Sequence, residues 1–329
     1  MHCVETLGYV GQTPWHNLGQ EISEEDARDW TKFLAASGLD WQVGLTDHYY
    51  KVADTCEDAD IISGEMRLKK SLRKKTIIRL DKQLELGVAS PNYTLYQNEE
   101  FFEFFNPFIE QGLAIYHTAG ALKEGRKIFA LCKILADPVE VVKDDPIDPY
   151  ILLAGGHDGK TSNSVLYTDV RVVCQNTMLR ALGDEERDIL RVHHRGDMKG
   201  TMERVREIMD VANRNFQLTI QDYRFLAERK VGGLENLKKY LLRVMDKVEE
   251  FEETGKKPRN FDNILHLCEF SPGQQNPAMK DTYWQAFNGI TNFVDFHRGQ
   301  KSNRLHSAWF ASGKTLKDRA LKVALEMAA

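Results

Sequence analysis

The chain has 329 residues, of which 42 % are hydrophobic and 28 % charged, and its 44 Lys and Arg against 49 Asp and Glu leave a formal net charge of −5. That balance excludes a wholly basic, histone-like protein, and the longest uncharged stretch, 6–20, is too short and too polar for a spanning helix, which needs about 20 mostly apolar residues. Five widely spaced cysteines (Cys3, Cys56, Cys132, Cys174, Cys268) without a Cys-x-x-Cys pair read as reduced thiols of a cytoplasmic protein, and no basic, apolar leader opens the chain.

In chain order, Thr13-Pro14-Trp15-His16-Asn17-Leu18-Gly19 is an aromatic, turn-prone opening. Glu24 to Ser37 reads as a helix capped by Ser23 and ended by Gly38. From Trp41 to Ile134 strands dominate: 41–45, 49–52, 76–80 and 93–96 are short alternating or β-branched runs. Asn98 caps a short aromatic helix over 99–112, with Phe105 and Phe108 on one apolar face. Two hairpins follow, 114–122 with 126–135 across Lys123-Glu124-Gly125, and 150–154 with 164–168 across Gly155–Lys160. Val170–Val173 continues as strand, and Asn176 to Leu182 reads as a helix that Asn176 or Thr177 caps and Gly183 ends. Beyond Met198 the pattern is helical, with Met202, Val205, Ile208, Met209 and Ala212 at helical spacing; further helices are expected over 234–251, 281–297 and 315–327. The fold class is α+β. A twisted antiparallel sheet with a crossing helix occupies 1–185, and a mostly helical region over 186–329 either packs back on the sheet or stands apart.

Enzyme signatures are weak. Gly155-Gly156-His157-Asp158-Gly159-Lys160-Thr161 lacks phosphate-loop spacing and sits between strands, and Gly313-Lys314-Thr315 lacks the first glycine. His193-His194 has no carboxylate or cysteine at metal-ligand spacing. His157 and Asp158 fit a β-turn better than half of a catalytic pair. No catalytic residue, metal site or cofactor is assigned.

Charge distribution is more informative. Segment 65–82 holds eight cations against two acids, a local +6, and segment 298–322 holds seven against one, again +6. Lys and Arg neutralise phosphates and aromatic faces stack on unpaired bases. The candidate DNA contacts are Lys69, Lys70, Arg73, Lys74, Lys75 and Arg79 in the first patch. The hairpin tip adds Lys123, Arg126 and Lys127, the strand end adds Arg171, and Trp309 in the second patch is the stacking candidate.

Several segments together resemble one family: Pro14–Gly19, His117-Thr118-Ala119-Gly120-Ala121-Leu122, Gly156-His157-Asp158-Gly159, Val170–Thr177, Trp284–Thr291, and Ser307-Ala308-Trp309-Phe310 with Lys317-Asp318-Arg319-Ala320. The chain resembles the phage/plasmid-like proteins of the domain of unknown function 932, from about residue 5 to its C-terminus. That resemblance implies carriage on phages, prophages and plasmids, and carries over no catalytic residues. The order of hairpins, strand and helix is similar to that of phage single-strand annealing proteins, which assemble as rings or filaments on DNA; this is analogy at the level of fold. The expectation is a cytoplasmic, single-stranded-DNA-binding, strand-annealing protein of a mobile element, working as a homo-oligomer without a cofactor. The alternative is an interaction protein that counters a host defence, its acidic Glu249–Glu253 face binding a host protein.

Overall fold

The computed structural model describes residues 4–11, 19–53, 55–63, 66–161, 164–171, 176–179 and 198–329. The expectations on Pro14–Leu18, 172–175, 180–183 and His193-His194 lie outside them.

Strand β1 (Val4–Val10) buries Leu7, Tyr9 and Val10 and runs parallel to the short β2 (Gln20–Ile22). The helix expected over 24–37 forms in two pieces. The Ser23 hydroxyl accepts from the Asp26 N–H at 3.0 Å and caps a 3₁₀ turn over Asp26–Arg28; Asp29 Oδ1 then accepts from the Thr31 N–H at 2.9 Å and starts α1 (Trp30–Ala36). Asp29 splits them because its backbone is extended.

Next comes a four-stranded antiparallel sheet in the order β3-β5-β4, with β6 on β5: β3 (Val43–Lys51), β4 (Ile61–Ser63), β5 (Met66–Arg79) and β6 (Leu84–Ala89). The run expected over 76–80 is only the end of β5, whose 14 residues extend for about 45 Å.

The aromatic helix also divides, into α2 (Asn98–Glu103) and α3 (Asn106–Glu110), with Pro107 in the first turn of α3, where its missing N–H costs nothing. The cap of α2 is Gln97, in a capping box with Glu100, not Asn98. Asn98 is buried and its amide donates to the carbonyls of Leu39 and Trp41 at 2.9 and 3.1 Å. Phe101, Phe102, Phe105 and Phe108 join Phe33 and Tyr116 in one buried aromatic cluster, as the spacing led us to expect.

The large sheet is built from β7 (Ala114–Leu122), β8 (Lys127–Ile134), β9 (Val139–Glu140), β10 (Pro146–Gly156), β11 (Ser164–Arg171) and β12 (Asn176–Leu179). Its order is β12-β11-β10-β8-β7-β1-β2, with β9 beside β10. Both expected hairpins form, β7–β8 and β10–β11. The helix expected from Asn176 does not: Asn176–Leu179 pairs with β11 from Arg171↔Asn176 to Thr168↔Leu179. Pairing with an open sheet edge satisfies backbone groups that a short isolated helix would leave exposed.

Helices follow: α4 (Met198–Glu228), α5 (Leu234–Met245), α6 (Val248–Thr254), α7 (Phe261–Phe270), α8 (Tyr283–Asn292), α9 (Lys301–Phe310) and α10 (Ser312–Ala328). The helix expected over 234–251 breaks at Asp246, which takes the left-handed conformation with φ 58°. The spacing did not announce α7 and α9. The helices contact the large sheet directly. Phe216 of α4 lies against Tyr167 of β11, and Trp309 of α9 meets Phe129 of β8 edge to face. The Trp284 indole N–H of α8 donates to Asp145 Oδ2 at 2.8 Å. The sheet-rich first half and helical second half make this an α+β protein.

Candidate nucleic-acid interface

The far end of the small sheet is a two-stranded arm with a third short strand, β4, on its edge. Register places Tyr49 opposite Lys70, Tyr50 opposite Lys69 and Asp47 opposite Lys75. Four residues of β5, Ser71 to Lys74, therefore face His48 alone, a bulge larger than the usual single extra residue. The bulge has two consequences. Lys70 and Lys75, an odd number apart, come to the same face and both bond Asp47, at 2.7 and 2.5 Å. Leu72, at the crest, is 87 % exposed, with Arg73 and Lys74 exposed beside it.

Paired strand residues share a face, so Tyr50–Lys69 lies on one side of the arm and Tyr49–Lys70 on the other. Both tyrosines are exposed, Tyr50 by 48 %. The acids that offset the run come from neighbouring segments. Asp58 pairs with Lys69, and Asp47 serves Lys70 and Lys75. Hydrogen bonds from Lys70 and then Lys75 hold the Asp47 carboxyl below the usual range. Arg73 and Lys74 make no ion pair among the described residues, so their charges face solvent.

Arg79 is corrected. It is 3 % exposed, and its guanidinium binds Glu5 at 2.7 Å and Asp81 at 2.8 Å while lying over the Trp41 ring at 4.2 Å. It ties the arm's base to β1 and is closed to phosphate. Its Nη1 also reaches the Glu124 carbonyl at 3.5 Å, so the Lys123–Lys127 tip abuts the base of the arm. At that tip Arg126 is exposed but donates to the carbonyls of Leu86 and Glu85 at 3.2 and 3.4 Å. Lys123 and Lys127 are half-buried near His306, whose pKa is pushed down to about 4, by burial first and then by those two cations. Arg171 ends β11 opposite Ile147 and Asn176, and its side chain lies outside the described residues.

Trp309 is corrected too. It is 5 % exposed with its ring 5.0 Å from Phe129, so it offers no face to a base. Other cations of the second basic segment are likewise committed within the fold, while Arg319 and Lys322 are exposed. Lys317 and Asp295 form a buried pair at 2.8 Å, Lys314 binds Asp318 at 2.7 Å, and the buried Arg304 donates to the carbonyls of Arg298 and Gly299.

The glycine-rich turn at 155–161 is structural. Asp158 Oδ1 accepts from the Lys160 and Thr161 N–H groups, and Gly159, at φ +70°, packs where a Cβ would meet the Val88 carbonyl at 2.4 Å. His157 is buried, with Nε2 donating to Asn98 Oδ1 at 2.8 Å, and burial lowers its pKa to about 4. It pins the turn to α2. The acidic α6 exposes Glu249, Glu250, Glu252 and Glu253, with Glu250 paired to Lys247.

Tyr49 and Tyr50 are the residues that sequence reasoning passed over. The signal was present, two adjacent tyrosines before a lysine in an alternating run, but only pairing with β5 sets each beside a lysine.

Fold and site thus define an α+β protein carrying a cationic, aromatic β-arm. Among the described residues no three His, Cys, Asp or Glu side chains gather as a metal site, and no helix is long and apolar enough to cross a membrane. The chain belongs to the family of the domain of unknown function 932 (DUF932), which it matches over residues 85–310. No curated protein and no solved structure matches it. The match begins in β6, so the arm and the large sheet's first two strands precede it, and β7 to β12 lie within it.

Proposed function

We propose that the protein binds single-stranded DNA along the β3–β5 arm and anneals complementary strands, as a component of a phage or plasmid that serves recombination or replication in the host cytoplasm. The observation that carries this reading is the in-register pairing of exposed tyrosines with lysines on an arm crested by Arg73 and Lys74. Stacking on tyrosine tolerates any base, and cations that track the backbone supply affinity without sequence preference. Arg73 and Lys74 meet phosphate first. Lys69, Lys70 and Lys75 exchange their carboxylate partners for phosphate, an exchange between ligands of like charge on a wet surface. The reading needs no cofactor, and assembly of several copies along one strand completes it.

The test is titration of a fluorescent single strand and its duplex at two salt concentrations, followed by strand pairing. Binding that prefers the single strand, falls steeply with salt and loses slope in the Lys69, Lys70, Arg73, Lys74, Lys75→Ala variant is expected. Absence of binding at low salt, or an unchanged slope in that variant, overturns the reading.

A further inference from the structure

A second polar cluster lies within the large sheet, away from the arm. On one face of β10, Asp148 and Tyr150 stand two residues apart, and Tyr150 pairs in register with Lys133 of β8. Lys133 Nζ donates to Asp148 Oδ2 at 2.6 Å. The neighbouring strand β7 slips register between Tyr116 and Thr118, which makes His117 the extra residue. Ile115 faces Lys133 and Thr118 faces Leu131, so His117 and Thr118 both turn to the Lys133 face. There His117 Nδ1 meets Thr118 Oγ1 at 3.1 Å, and its ring stands edge-on to Tyr150 with centroids 5.1 Å apart. Bulges that re-aim a side chain in this way are over-represented beside functional sites.

The surroundings make these polar groups conspicuous. Ile115, Leu131 and Leu152 on the same face are buried and apolar. Asp148 is itself 5 % exposed, yet its Oδ1 has no hydrogen-bond partner. A buried carboxylate oxygen is normally satisfied. Lys133 uses one of its three N–H groups on Asp148 and is partly open to solvent. Burial and the Lys133 charge press the His117 pKa down to about 4 against a smaller opposing pull from Asp148, so its ring is neutral.

A buried, unsatisfied acceptor beside a partly exposed donor, walled by two aromatic rings, calls for a flat ligand that presents a donor next to an acceptor. A phosphate fits poorly, because Asp148 already offsets the Lys133 charge. A metal ion lacks a third His, Cys, Asp or Glu ligand among the described residues. We propose that His117, Lys133, Asp148 and Tyr150 form a binding site for the hydrogen-bonding edge of a nucleobase. A ligand N–H donates to Asp148 Oδ1, and the adjacent ligand carbonyl or ring nitrogen accepts from Lys133 Nζ. This pairing of carboxylate with base N–H and lysine with base acceptor is the ordinary chemistry of base recognition. The proposal stands apart from the arm, since it uses none of its residues.

The test titrates the four deoxynucleoside monophosphates singly into the full-length protein, followed by calorimetry and saturation-transfer NMR. The variants are Asp148→Asn, His117→Ala and, as a control, Arg73→Ala with Lys74→Ala, each checked for folding by circular dichroism. If free nucleotides are the ligand, at least one binds, Asp148→Asn weakens it about tenfold or more, and the arm control leaves it unchanged. If the base belongs to a bound strand, no monophosphate binds, and single-strand affinity drops about tenfold in Asp148→Asn with the salt slope intact. Should Asp148→Asn fail to fold, His117→Ala, at a partly exposed position, reads the same two outcomes. Equal affinities in wild type and folded variants, for monomers and strand alike, overturn the proposal. Failure of the arm reading would show instead as a salt slope that the Lys69, Lys70, Arg73, Lys74, Lys75→Ala variant leaves unchanged.

Discussion

Segments 65–82 and 298–322 carry the same local charge, +6, and the fold treats most of their cations in opposite ways. In β5, Arg73 and Lys74 crest a bulge and the lysines around them reach acids that remain near water. In α9–α10, Lys317 is buried against Asp295, Arg304 caps carbonyls, and Trp309 fills the space over Phe129. A helix that packs on a sheet must bury one stripe, and long cationic side chains on that stripe go in with it, paired or capping. A two-stranded arm with few neighbours has no such demand. Equal local charge therefore says little about function until burial is known.

The largest expected effects lie on the buried side of that comparison. Lys317→Ala leaves the Asp295 carboxylate buried without its ammonium and should cost about 3–5 kcal/mol in urea unfolding. Trp309→Ala opens a cavity beside Phe129 and should cost a similar 3–5 kcal/mol, roughly, with DNA affinity of the folded protein unchanged. A Trp309 variant that loses affinity at full stability would erase the contrast.

Next in size is a pH effect. His157 has a folded pKa of about 4 against the ordinary 6.5, so the unfolded chain binds the proton more readily. Its contribution is present above pH 6.5 and is lost as pH falls from there through 4, by up to about 3 kcal/mol. Unfolding free energies measured across that window should flatten in His157→Gln relative to the wild type.

On the exposed side the effects are smaller and functional. Tyr50→Ala should weaken single-strand binding by about 1–3 kcal/mol while thermal unfolding stays put. Arg73→Ala with Lys74→Ala should change stability by no more than about 0.5 kcal/mol and lower the salt slope by about 0.7 for each lost phosphate contact. A slope that survives both substitutions would move the search for the DNA path to the hairpin tip.

Much of the architecture was legible because it rests on local chemistry. The turns at Lys123–Gly125 and Gly155–Lys160 announce both hairpins, and α4 begins near the point where the 3.6 period takes over. The aromatic spacing at 101–108 places those rings in the core. Errors fall where a partner decides. Asn176–Leu179 looks like a capped helix until the edge of β11 is available to it. Asn98 looks like a cap, but its amide serves the chain at Leu39 and Trp41. Helix 234–251 is continuous in its periodicity, and Asp246 breaks it in a conformation periodicity does not record.

Composition, charge and spacing by themselves determined the α+β class, the hairpin order, the aromatic core and the existence of two cationic segments, because each follows from residues close together in the chain. Only the tertiary structure decided which cations meet water. That choice turns on non-local neighbours: Glu5 and Trp41 for Arg79, Asp295 for Lys317, Phe129 for Trp309. The same holds for the gathering of His117, Lys133, Asp148 and Tyr150. They come from three strands and share one face through strand register, since Ile115 and Tyr150 both lie opposite Lys133 and His117 and Asp148 stand two residues from them, which no pattern in any one strand reveals.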